Sequence, residues 1–407
     1  MAFATLAPAR SDRLARAAVA ALFFTNGALF ANLVPRYPEV KADLDLTNAA
    51  YGLAVAAFPT GAVVAGLGAG ALIRRFGSAR VAVAGTWATG LAILVAALMP
   101  SPVAFAAALL VGGAADAATD VAQNAHGLRV QRRYGRSILN AFHAVWSVGA
   151  VTGGLMAAAA IALDVPRGVH LTVTAVLFAV VALTALRYCL PGPDVAEVPG
   201  DAVDATPAAR GLRAAGARTV LVLGALVLVA VAGAVVEDAG SSWAAVYLSG
   251  PLGAASAVAA AGFVALVGAQ FVGRLLGDRL VDRFGQRAVA RAGGVVVAVG
   301  MGVALAFPTV PGTVLGFAAA GLGVATLVPA AMHQADELPG LRHGTGLTVV
   351  SWLMRLGFLL SPPVVGAVAD EVGLRTGLLV VPLAGLAVVA LAGVLTGRTG
   401  RPERADA

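Results

Sequence analysis

Twelve times along this chain a run of about twenty mostly apolar residues returns, each long enough as a helix to cross the ~30 Å hydrocarbon layer of a bilayer. The runs lie at 14–35, 49–72, 80–99, 102–126, 138–163, 168–189, 219–248, 254–277, 287–307, 311–333, 344–368 and 374–396. In hydrocarbon every backbone N–H and C=O must be satisfied within its own structure, so runs of this length predict helices. Composition agrees, since 59% of the 407 residues are hydrophobic and only 12% are charged, about half the fraction usual in soluble domains. Arg10, Arg13 and Arg16 precede the first run as they would in a secretory signal, but the run is too long for one and eleven more follow. It reads as an uncleaved first helix.

Charge sets the orientation. With the N-terminus inside, 23 of the 28 Lys and Arg residues fall on the cytoplasmic side, among them Arg80, Arg129, Arg132, Arg133 and Arg136. Arg36, Lys41, Arg167 and Arg375 fall outside, and Arg355 lies within a span. That asymmetry is the positive-inside pattern, so the net charge of +7 reflects topology and not nucleic-acid binding. Lys41 is the only lysine, a bias of GC-rich bacterial genomes, so the expected location is a bacterial plasma membrane with both termini cytoplasmic. Cys189 stands alone, so no intramolecular disulfide forms, and no spacing suggests a metal site. No G-x-x-x-x-G-K-[ST] phosphate loop occurs, and no enzyme domain or cofactor is expected.

The chain also echoes itself. Arg74-Arg75-Phe76-Gly77 after the second run returns as Asp282-Arg283-Phe284-Gly285 after the eighth, 208 residues on. Residues 190–218 are rich in Pro, Gly and acids and read as a cytoplasmic linker. The expected organisation is a six-helix bundle at 1–189, the linker, and a second six-helix bundle with a short tail at 219–407, the two being pseudo-symmetric.

At these residues the sequence resembles the major facilitator superfamily. That family repeats a loop of the form G-x-x-x-D-[RK]-x-G-x-[RK]-[RK]; here Gly70, Arg74, Arg75 and Gly77 match it, with Arg74 where the aspartate is expected. The second copy keeps its acids, Asp278 and Asp282, beside Arg283 and Gly285. The resemblance implies a gating loop that latches the two halves on the cytoplasmic side, with the load shifted toward Asp278 and Asp282. The stretches around Asn140–Gly149 and Glu237–Leu248 resemble the YbjJ-type, sugar-permease-like branch. Gly149, Gly153 and Gly154 partly match the family's exporter motif, which also requires a proline absent here.

Asp116, Asp120 and Asn124 recur every four residues and share one helical face. Each carboxylate costs roughly 2.5–3.5 kcal/mol near the bilayer centre unless it faces protein or water, which marks a proton or substrate site or an interhelical pair. A carboxyl group that alternates between dry and wet surroundings can take up and release a proton. Asp120, nearer the cytoplasm, is the favoured carrier, with Asp116, His143 and Glu237 as further proton-coupling candidates. The substrate-binding candidates are Asn26, Asn32, Asn124, Asn140, Trp146, Gln270, Trp352 and Arg355. Amides both donate and accept, and tryptophan stacks on a sugar ring. For the asparagines the competing reading is a helix bridge, for His143 a neutral interhelical ring, and for Trp146 plain packing. Glu237 and Asp238 also read as a solvated helix end. Arg355, mid-span, requires a partner: Asp116, Asp120, Glu237 or an anionic substrate.

The function expected is a secondary transporter of a small polar, sugar-like metabolite, working by alternating access, driven by protons and acting as a monomer in the lipid bilayer. The alternatives are a proton-coupled exporter of drugs or secondary metabolites, and a non-transporting sensor or partner protein.

Overall fold

The computed structural model describes residues 10–135, 138–192, 216–341 and 344–397. Most of the expected linker, Arg136 and the tail from 398 lie outside the described residues. Among the described residues there is no strand, and twelve helices are long and apolar enough to span a membrane. They are α1 (Arg10–Asp43), α2 (Asn48–Gly66), α3 (Ser78–Leu98), α4 (Pro102–Tyr134), α5 (Leu139–Ala162) and α6 (Arg167–Leu186), then α7 (Ala217–Ser249), α8 (Ser256–Phe284), α9 (Gln286–Ala306), α10 (Val310–Asp336), α11 (Thr345–Val372) and α12 (Leu374–Val394). Helices and apolar runs agree at their centres and part at their polar ends. α4 continues through Arg132 and Arg133 until Gly135 turns left-handed at φ 68°. Prolines break two spans: Pro59 and Pro329 crowd the carbonyl four residues back, and the helices part at Ala56 and at Ala325–Thr326.

Two compact units form, one from Met1–Asp201 with Ala245–Val264 and the other from Ala202–Ala244 with Ala265–Ala407. In the first, α1 packs on α5 and α6, and α4 packs on α2 and α3. Glycine makes these crossings possible: a Cβ at Gly27 would strike the Trp146 carbonyl, at Gly149 that of Phe24, at Gly153 that of Ala28, and at Gly113 that of Phe58. In the second, α9 packs on α10 and α12.

Each unit repeats the other's devices at the 208-residue spacing. Gly113 lies against the Phe58 carbonyl and Gly321 against that of Leu266; Gly85 faces the Ala115 carbonyl and Gly293 that of Gly323. Ser101 caps α4 by accepting from the Ala104 N–H, and Thr309 caps α10 by accepting from that of Gly312, both at 3.2 Å. Arg167 donates to the Ala97 carbonyl at the end of α3 (2.7 Å), and Arg375 to the Leu305 carbonyl at the end of α9 (2.6 Å).

The repeated glycine-arginine segment requires a correction. It is not a loop, because Gly70, Arg74 and Arg75 lie on the helix Ala69–Phe76, and Asp278, Asp282 and Arg283 lie on α8. Only Gly77 (φ 87°) and Gly285 (φ 83°) leave the helical region, each as a single-residue hinge to the next helix. The spacing misled because Gly273 and Gly277, four apart, pack one helical face on Ala325 and Thr326 instead of breaking the helix. Arg75 and Arg283 each cover the ring of the following phenylalanine, with guanidinium to centroid distances of 5.2 Å.

Candidate functional site

Three helices of the first unit bring polar side chains to one point. The α1–α5 crossing at Gly27 and Gly149 sets Asn26 opposite Trp146, and the indole Nε1–H donates to Asn26 Oδ1 at 2.8 Å. An indole N–H only donates, so the amide nitrogen of Asn26 faces the other way. There it donates to Asp116 Oδ1 of α4 at 2.7 Å. Asn26 is buried, and Asp116 and Trp146 are half-buried, so the chain Trp146–Asn26–Asp116 has an inner end and an accessible side.

The rest of the α4 stripe continues from this point. Asp120 is exposed and accepts from Asn124 at 3.0 Å and from Gln123 at 3.4 Å. His143, one turn before Ser147 on α5, is exposed and sets its ring edge-on to Phe23 at 5.2 Å. Asn140 is exposed and is not drawn into the cluster. Asn32 is buried elsewhere, donating to the Ala28 carbonyl at 2.8 Å while its Oδ1 accepts from His170 Nε2 at 2.9 Å. Both ends of that amide are spent, the nitrogen within α1 and the oxygen on joining α1 to α6.

The second unit gathers a different group. Gln270 of α8, buried, donates to Glu237 Oε2 of α7 at 2.7 Å, and Arg274 lies 3.9 Å from the same oxygen. Of the two readings of Glu237 and Asp238, the burial fits a packed site better than a solvated helix end, because Asp238 is only 8% exposed and Glu237 is half-buried. Their helix continues for eleven residues beyond Asp238, to Ser249, which keeps them inside the packed region. Arg355 also departs from expectation. It and Trp352 are exposed, and among the described residues no hydrogen bond or ion pair engages the guanidinium. Depth within a span does not fix which way around the helix a side chain points.

Sequence reasoning missed His126 and Gln123, both fully buried. His126 Nε2 accepts from the Leu190 backbone N–H at 3.1 Å, which leaves Nδ1–H to donate to Ser78 Oγ at 2.8 Å. This ring ties α4 to the start of α3 and to the chain leaving α6. The signal was in the sequence, since His126 stands three residues after Gln123 and so near the polar stripe.

The family profile described as Major Facilitator Superfamily matches residues 19–279 and 252–407. A membrane protein of Rhizobium meliloti, MosC, is 29% identical over 96% of this chain and 93% of its own length. An uncharacterized transporter of Sinorhizobium fredii, y4wD, is 30% identical over 93% of this chain and 97% of its own. Among solved structures, the nucleoside transporter NupG superposes with a TM-score of 0.72 at 14% identity, covering 95% of this chain and 99% of that one. A D-xylose–proton symporter gives 0.66 at 16% identity, covering 94% and 96%.

Proposed function

This chain belongs to the major facilitator superfamily and is a multi-pass membrane transporter, and from that premise we propose that it moves a small polar, sugar-like metabolite by alternating access with protons as the coupling ion. The observation that carries this reading is the Trp146–Asn26–Asp116 chain. An ionised Asp116 accepts from the Asn26 amide. A protonated Asp116 is a weaker acceptor and gains a donor of its own, so a substrate hydroxyl competes for the amide N–H, while Trp146 offers its ring face to the same ligand. Proton load and substrate affinity thereby share one amide. Asp116, in direct contact with Asn26, takes the role of carrier ahead of the exposed Asp120. The nucleoside and D-xylose in the neighbours' names are both rings bearing several hydroxyls, which is the chemistry such a site suits. The sugar-permease-like branch, the two six-helix halves about a linker at 190–218, cytoplasmic termini, a monomeric working state and a bacterial inner-membrane location complete the reading.

The test is electrical current from purified protein in liposomes challenged with nucleosides, pentoses and hexoses, organic acids and lipophilic cations. Currents with a hydroxylated solute that vanish in Asp116→Asn support the proposal. Currents with lipophilic cations alone establish an exporter instead, and silence with every solute supports a non-transporting protein.

A further inference from the structure

The second unit holds a carboxylate that the transport site above does not use. Asp238 of α7 is 8% exposed, and Ser242, one turn on, donates to its Oδ1 across a long 3.4 Å. Its Oδ2 has no hydrogen-bond partner among the described residues. Ser361 of α11, 3% exposed, turns its hydroxyl toward the same carboxyl without completing hydrogen-bond geometry. Several hydroxyls in the spans, such as Thr25, Thr86, Thr119 and Ser147, bond back to the carbonyl four residues earlier, whereas Ser361, like Thr89 and Thr313, does not.

A helix crossing builds this arrangement. A Cβ at Gly357 would meet Ala234 at 2.7 Å and the Val231 carbonyl at 2.8 Å, so α11 and α7 run almost backbone to backbone. One turn further along each helix stand Ser361 and Asp238. Pro362 and Pro363 follow within the same helix and carry no N–H, so the carbonyls of Phe358 and Leu359 lose their usual donors. The first unit supplies an internal control. At the equivalent α1–α5 crossing Gly149 meets the Phe24 carbonyl, one residue off the 208-residue spacing from the Gly357–Val231 contact, and by that spacing the positions of Asp238 and Ser361 are Phe30 and Gly153. The crossing therefore stands without a carboxylate or a hydroxyl, and Asp238 and Ser361 are additions to it.

A buried carboxyl group with an idle oxygen is neutralised either by a proton or by a cation that completes it. The atoms gathered here, a carboxyl group and two hydroxyls, are hard oxygens, which matches a hard monovalent cation. Among the described residues no ion pair engages Asp238, and Arg274 lies on neighbouring Glu237. We propose that Asp238, Ser242 and Ser361 form a binding site for a dehydrated sodium-sized cation, separate from Asp116.

The experiment is thermal unfolding of the purified protein in nanodiscs, without substrate, in sodium chloride against potassium and choline chloride at constant ionic strength, repeated across pH. The expected result is a saturable rise in Tm with sodium, abolished in Asp238→Asn. Its half-saturating concentration should rise about tenfold in Ser242→Ala and in Ser361→Gly, the residue that the first unit carries at this crossing. Should Asp238→Asn not fold, Ser361→Gly decides alone, with Asp116→Asn as the variant expected to keep the full sodium response. Equal Tm in all three salts overturns the site, as does a sodium response unchanged in Ser361→Gly. A response to pH alone overturns it in favour of a proton on Asp238. Because no transport is measured, failure here leaves the reading of Asp116 intact, and the reverse also holds.

Discussion

At the scale of single residues, Asn26 is the side chain on which the proposed transport site turns, because among the described residues it alone bonds both the indole and the carboxylate. Trp146→Phe keeps a ring but removes the donor to Asn26 Oδ1. Loss of one such bond, about 1–1.5 kcal/mol, predicts a KM for the substrate raised about tenfold with the protein still folded. Initial-rate uptake at several concentrations, beside a Tm measurement, checks this. Asp116→Asn should abolish proton-driven accumulation yet permit exchange of labelled for unlabelled substrate, because an amide cannot cycle a proton; Asp120→Asn should retain accumulation. Accumulation lost in Asp120→Asn and kept in Asp116→Asn would reverse the assignment. The sequence showed that both carboxylates share a face with Asn124. It did not show which of them meets Asn26, because that depends on how α1 is rotated about its own axis against α4. The same holds for Asn32, equally polar and only six residues from Asn26, whose bonds go to His170 of α6 and to the Ala28 carbonyl of its own helix.

At the scale of helices, the two units are stabilised by matched contacts of unequal strength. Arg167 is largely buried and also reaches Asp43 at 2.8 Å, whereas Arg375 is exposed. Charge-assisted bonds to helix-end carbonyls are worth about 1.5–3 kcal/mol when sheltered and less when wet. Arg167→Leu should therefore cost about 2 kcal/mol and Arg375→Leu about 1 kcal/mol, read as two different falls in Tm for one substitution at equivalent positions. Gly113→Val and Gly321→Val should be alike and severe, about 3 kcal/mol or more, because each new side chain meets a backbone carbonyl that cannot yield. Yield of folded protein by size-exclusion chromatography tests both. The helices were legible in advance since hydropathy and proline placement are local properties. The glycine segment was misread because glycine serves both as a hinge, at Gly77 and Gly285, and as a packing surface, at Gly273 and Gly277.

At the scale of the whole molecule, the orientation in the bilayer rests on the arginine asymmetry and is directly measurable. Cys189 is buried beside Ala185 and Leu190, and burial pushes its thiol up to about 11, so at neutral pH it stays protonated and slow to react with maleimides. A cysteine introduced by Ala202→Cys should then label only after the membrane is made permeable, and labelling of intact cells would place the linker outside. Composition and repetition determined the twelve spans and the 208-residue repeat from the sequence alone, because the bilayer forces each apolar run into the same element whatever its neighbours do. Only the tertiary structure decided that Asn26 joins Trp146 to Asp116, that Asp238 lies buried against Ser361, and that Arg355 stands exposed. Those outcomes depend on the rotation of each helix and on where glycines let two backbones touch, and neither is written in the spacing of one segment.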